Sequence, residues 1–154
     1  MMNPKPHQKS LRLGRYGDEG LFYFLTTITK DRETFFLHPP SAKIVLNALK
    51  WLDQQGKITL VSAVVMPDHL HFIAQLKDTT LSKLMHSLKS YTANEINKAL
   101  ERKGPVWERQ YYERGIRNEE LLMEVVIYCL ENPVRKGLVD DFRKYNHWYC
   151  MFEL

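Results

Sequence analysis

The chain has 154 residues, 44% of them apolar and 12% aromatic, enough to build one packed domain of ordinary size and too apolar for a disordered chain. Lys plus Arg outnumber Asp plus Glu by 22 to 18, a mild basic excess that leans toward a polyanionic partner. The first residues, MMNPKPHQKS, form neither an apolar signal segment nor a membrane span, and the two cysteines, Cys129 and Cys150, make neither a C-x-x-C pair nor a disulfide framework. A cytoplasmic protein with ordinary thiols and no membrane partner is the expectation.

In chain order, residues 1–16 carry Lys5, Lys9, Arg12 and Arg15 and read as a basic arm. The run FYFLTTIT, residues 22–29, is aromatic and β-branched and predicts a first strand. After LHPPS, Ser41 is positioned to cap a helix whose apolar residues Ile44, Val45, Ala48, Leu49 and Leu52 recur at helical spacing, with Gly56 ending it. The segments ITLVSAVV and HLHFIAQL, separated only by Met66, Pro67 and Asp68, predict an antiparallel hairpin.

Residues 81–102 place Leu81, Leu84, Met85, Leu88, Ile96 and Ala99 on one helical stripe, closed by Gly104 and Pro105. WERQYYERGIR, residues 107–117, predicts a fourth strand. Asn118 then caps a third helix from Glu119 toward Asn132, where Pro133 disfavours helical geometry in the residue before it. Residues 140–154 remain as an aromatic tail. The order β-α-β-β-α-β plus a helix is the split βαβ, ferredoxin-like α+β arrangement, with helices on one face of an antiparallel sheet and the other face open.

Strand alternation puts His69, His71, Ile73 and Gln75 on one face and Leu70, Phe72, Ala74 and Leu76 on the core face. Two histidines so placed are either solvated, hydrogen-bonded residues or a pair of imidazole ligands for one cation. Tyr128 and Asn132, four apart on the third helix, share a face. Tyr128 is either a nucleophile toward phosphorus or a packing partner of Leu121 and Val125. Asn132 is either a hard oxygen ligand or a helix C-cap. Tyr91, beside Lys89, is a rival nucleophile or a packing residue.

Together these segments resemble a known family. VVMPDHLHFIAQL is similar to the His-hydrophobe-His segment of HUH single-strand endonucleases in the form found in REP-associated tyrosine transposases. WERQYYERGIRNEE and YCLENPVRKGLV are similar to that family's W-x-x-x-[YFW]-[YW]-E-x-x-I-R-[ND] and Y-x-x-x-N-P-V-[RK]-x-G-[LW]-V segments. YFLTTITKDRETFF and HSLKSYTANEIN fit as well, so the likeness runs from about Arg12 to Val139.

The resemblance implies that His69 and His71 hold Mg²⁺ or Mn²⁺, that Tyr128 is the nucleophile of a 5′-phosphotyrosine intermediate, and that Asn132 is a third ligand. Related single-tyrosine transposases carry a longer glutamine in the place of Asn132. The implied substrate is single-stranded or hairpin DNA. Candidates to hold it are Arg12, Arg15, Lys89, Tyr91, Arg109, Tyr111, Tyr112, Arg114, Arg117 and Arg135, cations for phosphates and aromatics for bases. The alternatives are a transposase-derived module that grips hairpin DNA without cutting it, a replication initiator or relaxase, and a metal phosphodiesterase. Monomer and homodimer are equally compatible with the sequence.

Overall fold

A computed structural model describes residues 21–154. Its elements are β1 (Phe22–Ile28), α1 (Pro39–Gln54), β2 (Ile58–Met66), β3 (His69–Leu76), α2 (Leu81–Leu100), β4 (Tyr112–Ile116), α3 (Glu119–Leu130), a single turn α4 (Asn132–Arg135) and β5 (Trp148–Cys150). Five strands form one sheet in the order β4-β1-β3-β2-β5, every neighbouring pair antiparallel. The first four follow the expected ferredoxin-like connectivity.

Alternation along the strands feeds two cores. Leu70, Phe72, Ala74 and Leu76 join Leu25, Leu60 and Val65 beneath Val45 and Leu49 of α1 and Leu84, Met85 and Leu88 of α2. On the reverse face Phe22, Phe24, Val64 and Ile73 pack under Val125, Val126, Cys129 and Leu130 of α3, with Phe142 from the tail. A register shift in β2 between Leu60 and Ser62 adds Val61 to this second core. The reverse face, expected from the element order to be open, is therefore covered by α3. The apolar side of α3 needs a surface to bury, and the strand residues facing it are themselves apolar. What stays open is the end of the face where β1 and β3 carry Thr26, His69 and His71.

Several boundaries differ from expectation, each for a local reason. Helix α1 starts at Pro39 with His38 as N-cap, because two prolines suit a first turn where N–H donors have no partner; Ser41 is buried inside that turn and caps nothing. Helix α2 closes at Glu101, in the left-handed region at φ 52, ahead of Gly104. Residues 107–111 are not strand. Trp107 instead drops into the α2 core, 5.4 Å from the Phe36 ring, its Nε1 donating to Thr92 Oγ1 at 2.9 Å.

Pro133 ends α3, yet it sits in the first turn of α4, where its missing N–H costs nothing, so Asn132 begins a helical turn instead of closing one. The aromatic tail supplies an unexpected strand, Trp148–Cys150, paired with Ser62, Ala63 and Val64. Both cysteines are free thiols; burial pushes the Cys129 thiol up to about 12, which keeps it inert. No helix among the described residues is long and apolar enough to cross a membrane.

Candidate active site

His69 and His71 come together because they are two apart on β3, and their ring centroids lie 4.6 Å apart. Each imidazole is fixed through Nδ1. His69 Nδ1 is 2.7 Å from Asp68 Oδ1, the preceding residue in the hairpin turn. His71 Nδ1 is 2.7 Å from Thr26 Oγ1, its register partner on β1. A carboxylate on one side of an imidazole sets the tautomer and leaves the Nε2 lone pair facing the other way.

What Nε2 of His69 meets is Asn132, whose Nδ2 lies 3.3 Å away. Asn132 is 4% exposed, and its side-chain amide faces His69. Turning the amide over would present the oxygen to the same spot. Tyr128, one turn earlier, is 42% exposed and does not pack with Leu121 and Val125 as core. Its ring stands edge-on to Phe24, with centroids 6.5 Å apart, and lies beneath the Arg135 guanidinium at 3.9 Å.

These side chains line one cavity of about 400 Å³, with Thr26 and Ile28 from β1 and a cationic rim of Arg32, Arg135 and Lys136. Arg32 is itself held by Asp68 Oδ2 at 3.2 Å. A larger groove of about 510 Å³ runs between α1 and α2, lined by Ile44, Ala48, Trp51 and Leu88, with Asn47, Ser87 and the Tyr91 phenol as its polar groups. It offers no carboxylate, imidazole or cation, so the chemistry belongs to the smaller, polar cavity.

Burial, more than any neighbour, lowers the His69 pKa against the opposing pull of Asp68. It lowers that of His71 to about 3, helped by the charges of His69, Arg135 and Lys136. Both rings are thus neutral at pH 7 with lone pairs available, the state a metal ligand requires. Among the described residues no group of three or more His, Cys, Asp or Glu converges as a metal site. A cation here would have two imidazole nitrogens and an amide oxygen, with water or substrate oxygens completing its shell. Such a donor set is able to hold a divalent ion with open positions, and the donors alone do not select one metal.

The depressed His71 pKa also predicts an acid-labile fold. Unfolded, the ring takes up a proton near 6.5; folded, it resists until about 3, so between these values the unfolded chain binds more protons. Metal-free protein should hold constant stability above pH 6.5 as far as this ring is concerned, and lose up to ~1.4 kcal/mol per pH unit below it. Denaturant titrations from pH 7 to pH 4 in chelator measure the slope, and His71→Gln should flatten it. A wild-type stability indifferent to pH across that range would contradict the burial argument.

The expected DNA-contacting residues divide among several places. Arg12 and Arg15 lie outside the described residues. Arg135 is at the cavity rim, and Tyr112 and Arg114 share its sheet face, since they pair with Thr26 and Phe24. Tyr112 is 66% exposed. Lys89, Arg109 and Tyr111 gather on the opposite side of the sheet, in a cleft with His86 and Trp107. There Lys89 Nζ donates to the carbonyls of Glu108 and Arg109 at 2.6 and 3.1 Å, bracing that segment to α2. Tyr91 is in the apolar groove, on the face away from the histidines. Arg117 lies half-buried just beyond β4.

Four residues of the cavity lining escaped the sequence reading, Thr26, Ile28, Arg32 and Lys136, as did Asp68 behind His69. Asp68 carried a signal, a carboxylate adjoining H-x-H; the others depend on strand register and on loop geometry.

The fold and cavity define a ferredoxin-like α+β protein with a histidine pair and a tyrosine on one wall. Residues 19–127 match the family model described as Transposase IS200 like, and the chain belongs to that family. The match stops one residue short of Tyr128, so the placement of Tyr128 and Asn132 rests on the geometry of α3. Two Haemophilus influenzae proteins are similar. One, uncharacterized, is 28% identical over 161 residues, covering 83% of this chain and 89% of its own. The other, provisionally named a REP-associated tyrosine transposase, is 25% identical over 133 residues, covering 79% and 75%.

Among solved structures, a REP-associated tyrosine transposase bound to a REP hairpin superposes with a TM-score of 0.67 at 22% identity, over 87% of this chain and 79% of that one. A Deinococcus radiodurans protein provisionally described as a transposase gives 0.54 at 23%, over 75% and 92%. The fold is shared with both, and the transposase assignment agrees with the resemblance carried by the sequence segments.

Proposed function

We propose that the chain is a metal-dependent single-strand DNA endonuclease and strand transferase that cleaves hairpin-bearing DNA through a 5′-phosphotyrosine intermediate. One observation carries this reading: Tyr128 stands on the wall of the cavity that holds His69, His71 and Asn132. Similarity to a protein solved with a REP hairpin supports the substrate class.

His69 and His71 through Nε2, and Asn132 through its amide oxygen, would hold Mg²⁺ or Mn²⁺, which when bound draws charge from a non-bridging phosphate oxygen. Arg32, Arg135 and Lys136 bring the DNA backbone to the rim, and Tyr112 offers a face on which a base can stack. Tyr128 Oη attacks phosphorus as the bond to the 3′ oxygen breaks. The phenol proton is lost and the leaving 3′ oxygen gains one, giving a tyrosyl ester of the 5′ phosphate and a free 3′-hydroxyl. One ester replaces another, so the step runs backward or onto a new 3′ end without outside energy. Within a single chain the four site residues lie together, which supports attack by the chain's own Tyr128.

Incubating the protein with end-labelled hairpin DNA and Mn²⁺ should yield a protein–DNA adduct that survives a denaturing gel and disappears with chelator. No adduct, with hairpin binding retained, would leave a binding module in place of an enzyme; an adduct indifferent to chelator would remove the metal. Asp68 supplies a finer check. Asp68→Asn keeps the shape but loses the charge behind His69, and should raise the Mn²⁺ concentration needed for half-maximal adduct by about 10–100-fold. An unshifted Mn²⁺ titration would contradict its orienting role.

A further inference from the structure

From the contacts around the tyrosine we infer that Arg135 is the positioning residue of Tyr128, a clamp that fixes the phenol at the cavity and not merely one more cation on its rim. The inference rests on the reading of Tyr128 as nucleophile and names what holds that nucleophile in place.

Tyr128 lies in the last turn of α3, where the final four carbonyls have no partner further along the helix. Its ring is 42% exposed, and its aromatic neighbour Phe24 meets it only edge-on. A phenol so placed would swing among rotamers unless something covered its free face. Arg135 does so at two points. The guanidinium carbon is 3.9 Å above the ring centroid, and Nη2 donates to the Tyr128 carbonyl at 2.7 Å. Backbone and ring of one residue are thus gripped by a single planar group.

The helix break makes this possible. After α3 stops, Pro133 opens the single turn α4, and Arg135 N bonds back to Glu131 O at 2.9 Å, fixing the base from which the side chain returns. Charge alone does not require this arrangement, since Lys136 and Arg32 line the same cavity. A guanidinium can lie flat on a ring while donating sideways; a lysine ammonium carries the same charge without the plane or the fork. In-line attack punishes loose placement, and a displacement of about 1 Å costs on the order of a hundredfold in rate.

Arg135→Lys and Arg135→Gln separate clamp from charge. Adduct formation is followed at saturating hairpin DNA and Mn²⁺, and DNA affinity by fluorescence anisotropy. Both variants should form adduct roughly a hundredfold more slowly at hairpin concentrations that the anisotropy shows to be saturating for each. A lysine variant with the wild-type rate, or a loss that vanishes at high DNA, would overturn the clamp and leave only a phosphate contact.

A fluorinated tyrosine at position 128 gives a second readout without catalysis. In DNA-free protein its fluorine resonance should shift and narrow when Arg135 is replaced by lysine, as the ring is released; an unchanged resonance overturns the clamp. A changed resonance with no adduct in any protein would remove the nucleophile and keep the clamp, so the two failures are distinguishable.

Discussion

Tyr128→Phe is expected to lower covalent adduct formation by roughly 10⁴-fold or more, the scale on which removal of a nucleophile acts, while hairpin binding and folding stay at wild-type values. The substitution deletes one oxygen from a ring already 42% exposed. The edge contact with Phe24, the stacked guanidinium and the bond from Arg135 to the residue 128 carbonyl do not involve that oxygen and should persist. Denaturing gels measure the adduct, anisotropy the binding and thermal melts the fold. An adduct undiminished in this variant would move the nucleophile elsewhere. Loss of binding in parallel would mean that the phenol grips DNA instead of attacking it.

The second large effect concerns the histidines. His69→Ala or His71→Ala should each reduce Mn²⁺-dependent adduct formation at least about a hundredfold, because either leaves a single imidazole beside Asn132, too few donors to hold a divalent ion at ordinary concentrations. DNA binding should survive, since the rim cations Arg32, Arg135 and Lys136 are untouched. His69 is held by Asp68 and Asn132, while His71 sits against the Phe24 ring at 5.3 Å and bonds Thr26, so each truncation removes a packed, hydrogen-bonded ring and should cost folding stability. Either variant retaining the wild-type Mn²⁺ dependence would contradict the assigned ligand set.

How far the site was legible follows from which interactions are local. A period of two along HLHFIAQL assigns the histidines to one face and Phe72 to the other, and both assignments agree with the two cores. A spacing of four joins Tyr128 to Asn132 on one helix face. Each pair was readable as a pair. That the two pairs meet was implied by the family resemblance and is not carried by residue spacing, because it depends on where α3 lands across the sheet, which the buried faces of Val125, Val126 and Cys129 decide against Phe24 and Val64.

The same reasoning explains the omissions. Thr26 acquires its role from register across β1 and β3, and Arg32 from a turn in which Asp31 and Arg32 both adopt left-handed backbone near φ 55. The strand Trp148–Cys150 pairs with residues more than eighty positions earlier, a contact with no local signal in an aromatic tail. Tyr91, open in the sequence as a rival nucleophile, a packing residue or a DNA contact, lies exposed over the apolar groove on the far side of the sheet from His69. Lys89, a candidate phosphate contact in the sequence, has its Nζ on the carbonyls of Glu108 and Arg109, an arrangement with no local signal.

The measurement that bears most directly on the central claim is to trap the adduct, digest it with protease and locate the nucleotide-bearing residue by mass spectrometry. A nucleotide on Tyr128 is the predicted result. A nucleotide on Tyr91, Tyr112 or any other residue would contradict the site assembled from β3 and the last turn of α3.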